Sequence, residues 1–218
     1  MENTLKFQQN ANVIASSGEE IGHISRVVMR PETKEVTHIV VRMKSLLKKD
    51  EKLVPIEKIA AATESQITLS SVAEDLESLP PFEEEHLIQI EGSTPGVPTP
   101  SQMPSAFGTS AGFPAYVPPS GDKFIARIEQ NIPEGTVAVE EGAKVITKEG
   151  KHVGKLERIV AELPDDQATH LLVSKGFIAE EKRLIPIGWV QIMGEIEIYL
   201  GVTEETVDEL AGISPEPK

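Results

Sequence analysis

The sequence predicts a mainly β protein built from two small β-barrels, each followed by a short helix. Three observations carry that prediction. One register of turn and core residues occurs twice, β-branched runs are broken by turn signals, and an uncharged proline-rich stretch separates the copies.

The duplication is the firmest of the three. Ala11 to Val41 align without gaps on Ala143 to Val173, 132 residues further on. Identical pairs include Val13/Val145, Ile14/Ile146, Gly18/Gly150, Gly22/Gly154, Arg26/Arg158, Val28/Val160, Thr37/Thr169, His38/His170 and Val41/Val173. After a one-residue deletion the match resumes at a spacing of 131, where Val54-Pro55-Ile56 faces Ile185-Pro186-Ile187 and Ile67 and Leu69 face Ile198 and Leu200. A period this long means two domains and a connector, since solenoid units repeat every ~20–50 residues. The boundaries fall at residues 5–85 for the first domain, 86–121 for a proline-rich connector and 122–213 for the second domain.

Within the first copy, Asn12 to Ala15 is a short apolar run, and Gly18 follows it at a hairpin turn that needs positive φ. Residues 21–29 then alternate as on a strand with two environments, and Gly22 inside this run marks a bulge or a close backbone approach. Pro31 presets the next turn. Val36 to Met43 is the richest β-branched run, Lys52 to Ile56 a short strand whose Pro55 requires an edge or a strand end, and Gln66 to Leu69 closes the set. Ser71-Val-Ala-Glu74 reads as a capping box opening a helix that Pro80-Pro81 stops. The second copy repeats the programme, with turns at Gly150 and at residues 163–166, a main strand from Thr169 to Lys175, and a capping Thr203 before a helix ending near Gly212. Five or six short strands per copy suit a closed or nearly closed small barrel.

The connector has no charged residue from Gly92 to Gly121 and carries seven prolines in that span, a composition that builds neither helix nor central strand. It reads as a flexible tether. Its Phe107, Phe113 and Tyr116 are unusual in a pure spacer, so a docking role stands beside the plain one.

The pattern Gly18, Ile21-Gly22, Arg26-Val27-Val28, Pro31-Glu32-Thr33, Val36 to Val41 and Val54-Pro55-Ile56 resembles the PRC-barrel domain. Its second occurrence runs through Gly150, Val153-Gly154, Arg158-Ile159-Val160, Thr169 to Val173 and Ile185 to Val190. That family includes the cytoplasmic part of the photosynthetic reaction-centre H subunit and the C-terminal domain of a ribosome-maturation factor. The resemblance implies a non-catalytic barrel that binds proteins or assists the assembly of complexes. Its motifs are turn and core positions, so they speak for a fold more than for one job.

Composition narrows the partners. A net charge of −14 disfavours general binding to nucleic acid, which needs a basic face, and disfavours docking on anionic lipid. The lysines at 44, 48, 49 and 52 read as a solvated loop. With no cysteine there is no disulfide, thiolate metal site or thiol nucleophile. No signal sequence or membrane span is read, so the expectation is a cytoplasmic protein.

The candidate chemistry is weak. His38 and His170 are matched and could be paired ligands, but no second ligand sits at a suitable spacing, and a half-buried strand histidine is the better reading. Arg26 and Arg158 are read as strand arginines that pair an acid, with partner binding as the functional alternative. The run Glu83-Glu84-Glu85-His86 reads as solvated charge. Gly18, Gly22, His38, Pro55, Gly150, Gly154, His170 and Pro186 are read as structural positions. No catalytic residue, metal site or cofactor is assigned, and the chain is not expected to be an enzyme. The leading functional reading is an adaptor or scaffold for protein partners, with self-association open. A peripheral component of a membrane complex and an accessory factor in ribosome or RNA maturation are the alternatives.

Overall fold

The computed structural model describes residues 4–8, 11–44, 50–63, 65–90, 123–162, 166–175 and 181–213. The connector aromatics Phe107, Phe113 and Tyr116, and the turn at residues 163–165, lie outside them.

The first repeat supplies β1 (Thr4–Gln8), β2 (Asn12–Ile14), β3 (Glu20–Met29), β4 (Val36–Met43), β5 (Glu51–Pro55), β6 (Ile59–Ala62), β7 (Gln66–Leu69) and α1 (Ala73–Glu77). Two strands follow, β8 (Glu83–Ile90) and β9 (Lys123–Gln130), which pair with each other in a sheet of their own. The second repeat supplies β10 (Val137–Glu140), β11 (Lys144–Ile146), β12 (His152–Glu162), β13 (Gln167–Lys175), β14 (Glu181–Pro186), β15 (Val190–Met193), β16 (Glu197–Leu200) and α2 (Glu204–Asp208).

The two large sheets have the same order, β5-β4-β3-β2-β7-β6 and β14-β13-β12-β11-β16-β15. In each, one pair is parallel, β2 with β7 and β11 with β16, and the other ladders are antiparallel. Both copies are mainly β. Of the closed or nearly closed barrel expected, full closure is not drawn by the ladders: β5 and β6 end one sheet and β14 and β15 the other, and no pairing joins those ends among the described residues.

Each sheet takes its seventh strand from the other repeat. The second repeat's β10 lies antiparallel along β3, with Val139 opposite Val27 and Glu140 opposite Arg26. The first repeat's β1 lies along β12, with Phe7 opposite Ile159 and Gln8 opposite Arg158. The exchange is reciprocal, because each of the four pairs between β10 and β3 becomes a pair between β1 and β12 when 132 is added or subtracted. Two further bonds obey the same symmetry. Val36 N–H donates to the Asp166 carbonyl and Ala168 N–H to the Lys34 carbonyl, both at 2.8 Å, either side of a bridge between Glu35 and Gln167. Lys34 and Asp166 both take left-handed backbone, at φ 64° and 52°, to make this turn-to-turn contact.

Residues up to Glu83 and from Gln130 onward therefore form one compact unit, and residues 84–129 a second. The packing of the two repeats, which the sequence leaves open, is through shared strands that lock them together. One apolar core runs through both copies, from Ile24, Ile39 and Ile67 to Ile159, Leu171 and Ile185, with the exchanged Phe7 and Val139 fully buried inside it. Burying a side chain such as Phe7 contributes about 1.5–3 kcal/mol. Val190 and Met193 belong to this core, while Ile192 between them points outward.

Several local expectations hold. Pro55 and Pro186 end the edge strands β5 and β14, where a missing N–H costs no ladder bond. Gly22 lies so close to β4 that a Cβ would sit 2.0 Å from the Arg42 carbonyl oxygen. Gly18 and Gly150 turn at φ 86° and 79°. Others need correction. The two environments expected along β3 are both apolar: Ile24, Val27 and Met29 join the main core, while Val28 packs with Val40, Leu53, Phe82 and Ala138 in a second cluster. Ser71 does not cap α1: the N-cap is Val72, without a side-chain bond, and the Ser71 hydroxyl accepts from Lys58 Nζ at 3.3 Å. α2 ends at Asp208, well before Gly212. The acidic run Glu83-Glu84-Glu85-His86 lies on strand β8, its side chains exposed as expected.

Candidate functional site

A concave feature is built on Arg26. β3 places this residue beside Glu51 of β5 and Glu140 of β10, and its side chain is only 13% exposed. Nη1 donates to Glu51 Oε2 at 2.8 Å, while Nη2 and Nε lie 3.5 Å from Glu140 Oε1 and Glu195 Oε1. The Phe82 ring stacks beneath, 4.8 Å from the guanidinium carbon to the ring centre. Glu51 is the hub, because its other oxygen accepts from Arg42 Nε at 2.9 Å and Nη2 at 2.7 Å. Burial alone would raise the Glu51 carboxyl. The Arg42 hydrogen bonds and the charges of Arg26 and Arg42 outweigh it and hold the pKa below the usual carboxylate range.

Around this hub is a pocket of about 250 Å³ lined by Arg26, Arg42, Asp50, Glu51, Pro81, Glu83 and Glu140. Four carboxylates face two guanidinium groups, so the lining carries a negative excess. Because Glu140 arrives on the exchanged strand β10, both repeats build the pocket.

The second repeat carries different residues at the matched positions. Where the first has Glu51, Arg42, Asp50, Glu140 and Phe82, it has Lys182, Ser174, Glu181, Gln8 and Ile213. Lys182 turns to Glu157 at 2.8 Å. Arg183 Nη1 instead reaches the end of α2, donating to the Val207 carbonyl at 2.9 Å and to Asp208. Arg158 lies half-buried opposite Gln8.

What the second repeat presents is apolar. On the outer face of β11-β16-β15, Ile146 pairs with Tyr199 and Tyr199 with Ile192, a stripe across three strands. Ile192 is 61% exposed, Tyr199 37%, and Ile196 at the adjoining turn 60%. At the matched places the first repeat has Ile14, Thr68, Ala61 and Ser65.

His38 and His170 sit opposite Pro55 and Pro186, one in each sheet and not together. His38 Nδ1 is buried and makes no hydrogen bond among the described residues, and burial lowers its pKa. Of the candidate residues among those described, the structure brings Arg26 into a pocket. Glu51, Glu140 and Phe82 escaped sequence reasoning, as did Ile192, Ile196 and Tyr199. The signal that finds them is the opposite of identity: matched positions where a conserved core is flanked by a reversed charge or a polar residue turned apolar.

A family model described as PRC-barrel domain matches the chain twice, over residues 9–76 and 141–205. No curated protein matches it. No helix among the described residues is long and apolar enough to cross a membrane.

Proposed function

We propose that this chain, which belongs to the PRC-barrel family, is a non-catalytic scaffold that holds a protein partner on its second repeat. The observation that carries the reading is the exposed Tyr199–Ile192 pair with Ile196 beside it, extended by half-buried Ile146, where the first repeat keeps the matched Ile14 but has Thr68, Ala61 and Ser65 in place of the other three. Both copies keep the core residues that folding requires, so the stripe is not a demand of the fold. Contiguous exposed apolar surface on a folded protein characteristically marks an interaction site, and Tyr with Ile supplies the aromatic and aliphatic anchors that interfaces favour. The shared strands support the same reading, since they hold the stripe and the Arg26 pocket on one compact unit. The pocket supports a non-catalytic role: Glu51 is held by three hydrogen bonds from Arg26 and Arg42, which keep it charged and fixed in a structural ion pair.

The test is in-cell crosslinking and capture of the tagged full-length protein, with membrane, ribosomal and soluble fractions analysed separately. The variant Ile192→Ser/Tyr199→Ser should lose the captured partner by about tenfold or more, the scale of a hot-spot pair. The matched variant Ala61→Ser/Thr68→Ser should retain it. Equal recovery from both variants would remove the stripe as the docking face. The fraction that holds the partner would decide between a membrane complex, ribosome maturation and neither.

A further inference from the structure

The strands that join the repeats are interchangeable in register. Adding 132 to Met29, Val27 and Arg26 gives Ala161, Ile159 and Arg158, and the strand opposite them changes from Val137, Val139 and Glu140 to Leu5, Phe7 and Gln8. Each recipient edge is therefore built to take a strand of this one pattern. The same edge also carries the recipient's own β2 or β11, at Gly22–His23 or Gly154–Lys155.

The spacing lets a strand reach more than one edge. If Gln8 lay opposite Arg26 of its own repeat, residues 9–11 would face Ser25 and Ile24 before Asn12 met His23, an excess of one residue. A single β-bulge absorbs that excess, and bulges already interrupt the ladders beside it. The backbone donors and acceptors on the edge do not distinguish a strand of the same repeat, of the other repeat or of another molecule. Exchange of an identical element across a short hinge is a recognised low-cost route to assembly.

We propose that the partner this edge also fits is a second copy of the chain. In that assembly β10 of one copy pairs with β3 of the other and β1 with β12, so two chains make the same contacts that one chain makes with itself. The connector sets the balance. Tethering gives the intramolecular pairing an effective concentration of order millimolar for short flexible linkers. Pairing between copies accordingly gains with protein concentration when strands are formed anew.

The chain contains no cysteine, which allows a clean test. Val27 and Val139 lie directly opposite each other, and cross-strand Cα separations of ~4.5–5.5 Å fall in the disulfide range. Val27→Cys and Val139→Cys, on full-length chains of different tag mass, are unfolded together, refolded over a range of concentrations, oxidised and run without reductant. Both substitutions in one chain should give an intrachain bond, which reports that the fold and register survive. If that control fails, Val28→Cys with Ala138→Cys supplies a second matched pair. The expected result is a mixed dimer of the two tagged chains whose yield rises in step with concentration. A mismatched pair, Val13→Cys with Val139→Cys, should give none. No mixed dimer at any concentration, or as much from the mismatched pair, would overturn the proposal.

Discussion

At position 51 the first repeat carries glutamate, and at the matched position 182 the second carries lysine. Their surroundings follow from that reversal. Glu51 pairs with Arg42 and with Arg26, which lies over Phe82, beside a pocket; Lys182 turns to Glu157, and the neighbouring Arg183 fastens the sheet to α2. The cores differ far less, with Val13, Ile67 and Leu69 faced by Val145, Ile198 and Leu200, all buried. The comparison teaches that duplication kept the apolar residues both sheets need and let the charged rim diverge into two dissimilar surfaces.

The largest expected effect tests where the repeats are joined. Phe7 and Val139 are matched, fully buried and each placed in the other repeat's sheet. Phe7→Ala should cost about 3–5 kcal/mol and Val139→Ala about 1.5–3, from lost transfer energy and the cavity left behind. Urea denaturation should show one transition for both repeats in each variant. Two separate transitions, or a negligible cost for Phe7→Ala, would mean that the exchanged strands do not bind the repeats into one cooperative unit.

Next is the reversal itself. Glu51→Lys sets a third cation against Arg26 and Arg42 and strips both of their partner, so about 2–4 kcal/mol should be lost at a site only 12% exposed. Lys182→Glu breaks a more exposed pair with Glu157, which ordinarily contributes about 0–1 kcal/mol. Similar losses at the two positions, measured by the same denaturation, would show that the pocket is not a tighter electrostatic unit than its counterpart.

Acidification should separate two groups in the first repeat. Burial, the largest influence, lowers the His38 pKa, with Arg30 acting the same way and Glu57 opposing. The folded state therefore favours the neutral ring. Its contribution is complete above the ordinary histidine value of ~6.5 and declines as pH falls toward the folded value. Glu51, also lowered, contributes fully above the ordinary glutamate value of ~4.3 and loses that contribution at still lower pH. Stability against pH should thus fall in two stages. His38→Asn should flatten the upper stage and Glu51→Gln the lower, and a profile unchanged by either would disprove the assignment.

The sequence made the fold legible where one residue imposes one geometry. Gly18 and Gly22 fill positions that a side chain would strain or clash with, Pro55 fixes its own φ, and the β-branched run of β4 leaves little choice. The exchange of β1 and β10 was hidden because antiparallel pairing reads only local alternation, and an edge accepts any strand of suitable pattern. β8 and β9 were missed since charged residues dominate the start of one strand, and propensity gave no hint of its mate. The pocket was half visible: Arg26 repeats and was read as pairing an acid, but its acids lie 25, 114 and 169 positions away at Glu51, Glu140 and Glu195. Contacts that distant become apparent only through topology. The apolar stripe was obscured differently, because Ile192 sits among Val190 and Met193, and one-dimensional reading cannot tell an outward side chain from its buried neighbours.

The smallest effect concerns the helices, where the comparison can be edited. Val72 and Thr203 are matched N-caps with nearly the same backbone, φ −79° and ψ 163° against φ −82° and ψ 166°. Thr203 Oγ1 accepts a hydrogen bond from Thr206 N–H at 3.3 Å, while Val72 offers no acceptor and is 41% exposed. Thr203→Ala should cost about 1 kcal/mol, the usual value of such a cap. Because the backbone at residue 72 is already in capping geometry, Val72→Thr should add up to about 1 kcal/mol by accepting from the matched Asp75 N–H, and it removes an exposed apolar group at the same time. Thermal melting of the two single variants and of the pair measures this directly. The shifts should be opposite in sign and additive, since the two caps belong to different helices of different repeats. A loss on Val72→Thr would mean that the valine side chain makes a packing contribution the second repeat does without, and the two helices would then be anchored by different forces rather than by better and worse versions of one.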